Sequence, residues 1–227
     1  MAPRQHLRDI YDRLLAFFGP QHWWPGETRF EIMVGAVLTQ NTAWTNVEKA
    51  IISLKDQGLL SFEAMCASPH AALAECIRPC GYFNVKATRL HNLLAMVETR
   101  YHGDLDRMAA DELPALRQAL LSVKGIGPET ADSILLYAAG KPIFVVDAYS
   151  YRLLSRHGLV SEDETDYETM QELFMDALPA DSSLFNEYHA LIVRTGKDFC
   201  KKTNPRCGAC PLMALLPQLS SASGDMP

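Results

Sequence analysis

No apolar run in this chain of 227 residues reaches the roughly 18–20 residues that a membrane span requires. The opening Met1-Ala-Pro-Arg-Gln-His6 lacks the basic-then-apolar pattern of a secretory signal. Internal repeats and long linkers are also missing, and the one strand-like run, Pro142-Ile-Phe-Val-Val146, is too short and isolated to make a sheet. These absences exclude a membrane protein, a repeat array and a β-rich fold. They predict a soluble cytoplasmic protein with no membrane partner. Hydrophobic residues at 48% and charged residues at 21% are ordinary globular composition, which excludes wholesale disorder. The length allows one or two domains and a core that needs no disulfide scaffold. In a reducing compartment, the six cysteines read as thiols or metal ligands.

Net charge is −6, which by itself argues against a nucleic-acid partner. The distribution reverses that reading. Nine acidic residues lie between His157 and Val193 with no Lys or Arg among them, and the rest of the chain is therefore +3. From Arg194 to Arg206, five basic residues stand against the single acid Asp198. A solvated acidic face opposite a basic one is compatible with DNA binding.

The remainder reads as helices joined by short turns, an all-α fold. His6 to Phe18, Phe30 to Leu38 and Val47 to Leu54 carry helical apolar spacing. Ser68-Pro69 reads as an N-cap with proline at the first helical position. Asn84 is expected to cap a helix whose Leu90, Leu93, Leu94 and Val97 share one face and which Gly103 stops. Pro128 opens a helix closed by Gly140, and Asp147 opens another closed by Gly158. Thr165 to Leu178 and Leu184 to Arg194 complete the set. Cys66, Cys76 and Cys80 read as buried helix residues, and the tail 218–227 is expected to be disordered.

Leu120-Leu-Ser-Val-Lys-Gly-Ile-Gly-Pro-Glu-Thr-Ala-Asp132 is the most informative segment. Gly125 and Gly127 around Ile126 permit a tight hairpin with outward N–H groups, and the adjoining helix start adds partial positive charge that suits a phosphate. An ordinary glycine turn between two helices accounts for the same residues. Further along, Asp147 follows Ile143-Phe-Val-Val146. Taken alone, it is an N-cap that accepts its own helix's N–H bonds.

The order of Leu120, Val123, Gly125, Ile126, Gly127, Thr130 and Ala131 resembles the helix-hairpin-helix motif of DNA-binding proteins. With Leu38-Thr-Gln-Asn-Thr42, Gly81-Tyr-Phe-Asn-Val-Lys-Ala87, Val146-Asp147 and the C-terminal cysteines, the chain resembles the endonuclease III superfamily of DNA glycosylases from about Phe30 to Pro211. That resemblance implies two helical lobes, 27–144 and 1–26 with 145–217, and a DNA-binding cleft between them. It implies duplex DNA with damaged bases as partner, gripped by Lys124, Gly125, Ile126 and Gly127 and by Lys201, Lys202 and Arg206. It makes Asp147 the catalytic carboxylate, a role compatible with capping. It makes Gln40 the wedge that fills the gap left by a flipped nucleotide, although a helix-terminal polar residue satisfying backbone groups is the plainer reading. Members that also cut the backbone carry a lysine two residues after the second hairpin glycine. Here that residue is Glu129, and a carboxylate forms no imine with a sugar, so lyase activity is not expected.

Trp23-Trp24-Pro25 and Thr39-Gln-Asn-Thr-Ala-Trp44 look like the 3-methyladenine glycosylase branch. In that branch an aromatic at the Trp44 position stacks on the damaged base; interlobe packing is the other reading of these tryptophans. Trp44 follows Gln40 by one helical turn. An electron-rich slot favours a cationic alkylated purine by about 0.5–2 kcal/mol, and such a base leaves readily. This matches the lack of an obvious second carboxylate or histidine beside Asp147. Cys200, Cys207 and Cys210 match three ligands of the family's [4Fe-4S] cluster, but Leu216 occupies the fourth position. A cluster with one non-cysteine ligand, a lost cluster and a zinc remnant all stay open, and no other cofactor is implied. The expectation is a monomeric, monofunctional glycosylase for alkylated purines, nucleoid-associated when bound to DNA. Its rivals are an endonuclease III-type glycosylase and lyase for oxidised pyrimidines, and a non-catalytic DNA-binding module.

Overall fold

Apolar residues recurring every three or four positions place one face of each segment against a core. In the computed structural model, which describes residues 3–24, 26–161 and 165–217, they form twelve α-helices among the described residues. In order these are α1 (Pro3–Phe18), α2 (Arg29–Leu38), α3 (Trp44–Asp56), α4 (Phe62–Ala67), α5 (His70–Cys76) and α6 (Phe83–Tyr101). Then follow α7 (Leu105–Ala110), α8 (Leu113–Leu121), α9 (Pro128–Ser133), α10 (Ala148–Arg156), α11 (Tyr167–Ala177) and α12 (Ser182–Asp198). A π-turn, Ile134–Ala138, continues α9, and residues 142–146 have no regular secondary structure. The fold is all-α, and no helix among the described residues is long and apolar enough to cross a membrane. Pro25 and the tail 218–227 lie outside the described residues.

The chain divides into two compact units. One comprises Met1–Gln21, Val146–Pro179 and Glu187–Pro227; the other comprises His22–Val145 and Ala180–Asn186. In the first, α1 packs on α11, burying Leu7, Ile10 and Leu14 in a core with Met170 and Phe174. The Tyr188 hydroxyl donates to the Leu7 carbonyl at 2.8 Å. In the second, α2 and α6 pack together, and Leu90, Leu93, Leu94 and Val97 are buried as their spacing predicts.

Several local expectations differ from the structure. Ser68 ends α4, where its hydroxyl donates to the Met65 carbonyl at 3.0 Å, and Pro69 is the N-cap of α5. Asn84 lies inside α6, which starts one residue after a left-handed Tyr82 (φ 45°). The N-cap of α11 is Asp166, which accepts the Thr169 N–H, and Thr165 precedes it. Cys66 is exposed, while Cys76 and Cys80 are buried.

The second unit buries the ionisable side chains Glu31, Lys86 and Asp132. Lys86 is 1% exposed, yet its ammonium has three acceptors. These are the Leu38 carbonyl (2.9 Å), the Cys80 carbonyl (2.9 Å) and the Thr42 hydroxyl. Three acceptors match the three N–H donors of an ammonium. Burial lowers the Lys86 pKa, and the acceptors make the charge tolerable there. Two separated stretches, Leu38–Thr42 and Cys80–Lys86, are thereby joined at one nitrogen. Lys86→Met keeps the volume and strands the Leu38 carbonyl, while Cys80 O keeps the Thr42 hydroxyl at 2.7 Å, so it should cost about 1–3 kcal/mol, read as a lower urea midpoint with an unchanged slope.

Candidate functional site

The glycine segment forms the hairpin between α8 and α9. Gly125 has φ 98°, and a Cβ there would lie 2.5 Å from Arg89 Cγ, so only glycine fits both the conformation and the packing. The hairpin's carbonyls are used internally. The Asn92 side chain donates to Lys124 O at 3.0 Å, Gln40 donates to Gly125 O at 3.1 Å, and Ile126 N–H donates to Val123 O at 3.0 Å. Ile126 is buried and anchors the turn with its N–H engaged, so neither its side chain nor its amide is presented outward. Gly125, Gly127 and Lys124 are exposed. Below the turn, Arg117 makes a two-pronged contact with the fully buried Asp132 (2.8 and 3.1 Å), which fastens α9 to α8. Rigid backbone amides at a glycine turn are suited to phosphate oxygens and carry no sequence preference.

Gln40 lies in the turn after α2, and its side chain is engaged at both ends. Nε2 donates to Gly125 O and to Thr130 Oγ1 (2.9 Å), while Oε1 accepts from Arg89. Residues 40–43 are not helical, Asn41 has φ 50°, and Trp44 is the first residue of α3. The one-turn helical spacing from Gln40 to Trp44 is therefore replaced by a left-handed turn. Trp44 meets Trp24 edge to face with centroids 5.1 Å apart, and Trp23 at 6.3 Å with a 45° tilt. Trp24 also lies against Tyr137 of the π-turn at 4.7 Å and 32°. All three tryptophans are half-buried. The result is an aromatic group of four rings, three of which the sequence pattern suggested.

Asp147 sits in the other unit, at the N-cap of α10. Its Oδ1 accepts the N–H groups of Tyr149 and Ser150 (both 2.9 Å) and the Ser150 hydroxyl (3.1 Å). Its Oδ2 lies 3.5 Å from His189 Nε2 on α12, and the Asp147 side chain keeps 13% exposure. Burial pushes the carboxyl up, but His189 and the Ser150 bonds outweigh it, and the net shift is downward. The carboxylate is thus ionised through the neutral range with one oxygen uncommitted to the backbone. A histidine beside Asp147 was not anticipated. It comes from a distant segment, and nothing in the spacing of the chain marks it.

Residues 34–178 match the HhH-GPD superfamily base excision DNA repair proteins. The chain belongs to the HhH-GPD superfamily. Within it, the chain is 46% identical over 205 residues to a Methanocaldococcus jannaschii protein named as a DNA repair glycosylase, covering 89% of this chain and 92% of that one. The crystal structure of H. pylori 3-methyladenine DNA glycosylase bound to 1,N6-ethenoadenine aligns with TM-score 0.75 and 30% identity, covering 87% of this chain and 98% of that one. A non-covalent endonuclease III–DNA complex aligns with TM-score 0.80 and 25% identity, covering 95% of this chain and 96% of that one.

The iron-sulfur cluster implied by likeness to endonuclease III needs four thiolates. In this HhH-GPD chain, Cys200, Cys207 and Cys210 line one pocket of about 330 Å³, solvent at its mouth included, with Leu153, Leu212 and Leu216 among its walls. Leu216 faces this space where a fourth thiolate is required. His157 also lines it, but its Nδ1 contacts Leu215 O at 3.2 Å. No group of three or more metal-binding side chains converges among the described residues. The donor set does not fit a four-thiolate cluster.

Other contacts close the loop. Arg152 donates to Cys200 O at 2.6 Å, Arg156 donates to Cys200 Sγ at 3.2 Å and to Lys202 O at 3.4 Å, and Arg206 N–H donates to Phe199 O at 2.8 Å. Lys202 and Arg206 are exposed and Lys201 is half-buried. Purified protein is expected to be colourless and to hold little iron, while Leu216→Cys, reconstituted with iron and sulfide, should gain the brown visible absorption. A full complement of iron in the parent protein would contradict this.

Proposed function

We propose that this HhH-GPD protein is a monofunctional DNA glycosylase that hydrolyses the N-glycosidic bond of an alkylated purine. The observation that carries this reading is the divided carboxylate of Asp147. One oxygen is held by the α10 cap, and the other is ionised and uncommitted to backbone. As the C1′–N bond breaks, its electron pair leaves with the base and positive charge grows on the sugar. A fixed, partly desolvated carboxylate stabilises that charge and orients the water that takes the base's place.

The remaining roles follow from the two units taken separately. Amides of Gly125 and Gly127, with Lys124, hold a phosphate, and Lys201, Lys202 and Arg206 add cationic contacts. Extruding a base costs a few kcal/mol and costs least for a damaged one. Gln40 fills the vacated place, which requires its bonds to Gly125, Thr130 and Arg89 to be released. Trp23, Trp24 and Trp44 form the face that receives a cationic ring. The relative that binds 1,N6-ethenoadenine supports a modified purine as substrate.

Glu129 stands where lyases of this family carry their amine. The Lys86 amine is occupied by Leu38, Thr42 and Cys80, which leaves the exposed Lys124 as the alternative amine close to the hairpin. The endonuclease III reading is separable by borohydride trapping on abasic DNA. No covalent adduct is expected, and an adduct lost in Lys124→Ala would favour that reading instead.

Asp147→Asn preserves the capping oxygen, so stability should stay within a few tenths of a kcal/mol. Release of alkylated base should fall roughly 10²–10³-fold with DNA affinity retained. Trp44→Ala should lower release roughly 5–100-fold with undamaged-duplex affinity unchanged. Equal losses in release and affinity would remove its stacking role.

A further inference from the structure

The two oxygens of Asp147 have different surroundings. Oδ1 is saturated by Tyr149 N–H, Ser150 N–H and the Ser150 hydroxyl. Oδ2 faces His189 Nε2 at 3.5 Å, and the two side chains are only 13% and 7% exposed. That separation is long for a hydrogen bond, and the contact is an ion pair only when the imidazole is protonated. Two features of α12 bring the imidazole there. Gly196 lies against the Tyr149 ring, where a Cβ would stand 2.2 Å from Tyr149 Cδ1, so α12 approaches the first turn of α10 more closely than any side chain at that position would allow. Gly196 and His189 are two helical turns apart and share one face of α12. The same close approach that seats Tyr149 therefore delivers His189 to Asp147.

We propose that His189 is a positioning residue for Asp147, holding through Nε2 the carboxylate oxygen that the helix cap does not use. The proposal rests on Asp147 being the reacting carboxylate, as proposed above. His189 keeps Oδ2 ionised and turned away from the α10 backbone, so that it faces whatever occupies the open side of the residue. The groups that hold this carboxyl below its ordinary pKa are His189 first and then Ser150. The Tyr167 hydroxyl meets the preceding residue, accepting Val146 N–H at 3.4 Å. The direction of the effect is fixed by sign. The His189 contact lowers the Asp147 pKa, so removing it lifts the pH at which Asp147 takes up a proton. Activity that needs the carboxylate is then lost earlier as pH falls.

The test compares the parent protein with His189→Gln, which keeps a neutral donor near the same place, and His189→Leu, which keeps only volume. The Asp147 carboxyl carbon is followed by NMR in aspartate-labelled protein, assigned through its absence in Asp147→Asn, over a pH titration. The titration should move to higher pH in His189→Leu and by a smaller amount in His189→Gln; should the leucine variant not fold, the glutamine variant alone decides. Base release should fall in both, with a loss at the acid end roughly three- to ten-fold larger than at neutral pH. An unmoved carboxyl titration overturns the proposal, as does a loss of release that is the same at every pH. A shifted titration in a parent protein that releases no base supports the His189 contact and counts against the function proposed above.

Discussion

A carboxylate that caps its own helix is committed through one oxygen, and this division of labour at Asp147 is the constraint on which the chemistry depends. The three donors on Oδ1 come from residues two and three places on, in the first turn of α10. They fix the side-chain torsions and with them the direction of Oδ2. Burial alone would favour the neutral acid. His189 and the capping donors reverse that preference, so the oxygen left over is both charged and aimed. Stability and chemistry are served by one side chain without conflict because they use different atoms of it.

The hairpin unit shows a comparable economy along α6. Lys86, Arg89 and Asn92 recur every third residue and so share one stripe of the helix. Lys86 ties the C-terminus of α2 to the turn before α6, Arg89 holds Gln40, and Asn92 holds the Lys124 carbonyl. Lys86 and Arg89 both reach the stretch after α2 and Asn92 reaches the hairpin, so these loops are referenced to one rigid helix. Stretches separated in sequence, Leu38–Thr42, Gly81–Ala87 and Val123–Gly127, meet there for this reason.

Much of this was legible in the chain itself. Helical periodicity placed the core of α6 at Leu90, Leu93, Leu94 and Val97, and the glycine pair located the hairpin. The cap at Asp147 was readable because an N-cap needs only its own next turn. What the sequence did not disclose is what depends on distant segments. His189 reaches Asp147 through the packing of α12, and Tyr137 reaches Trp24 through a turn whose hydrogen-bonding pattern no propensity records. Lys86 lay inside a suggestive motif, but a lysine reads as solvent-exposed until its acceptors are known. The N-cap misplacements at Ser68 and Asn84 have a common cause. A left-handed Tyr82 and an extended Pro69 begin their helices without a side-chain cap, so residues of good capping type nearby misled.

The π-turn at Ile134–Ala138 adds one residue to a helical circuit. In a regular α-helix one residue more turns every later position by about 100°, whereas the wide turn absorbs it and the residues beyond keep their phase. Tyr137, whose ring meets Trp24 at 4.7 Å and 32°, lies inside that wide turn, so its place beside Trp24 depends on the extra residue.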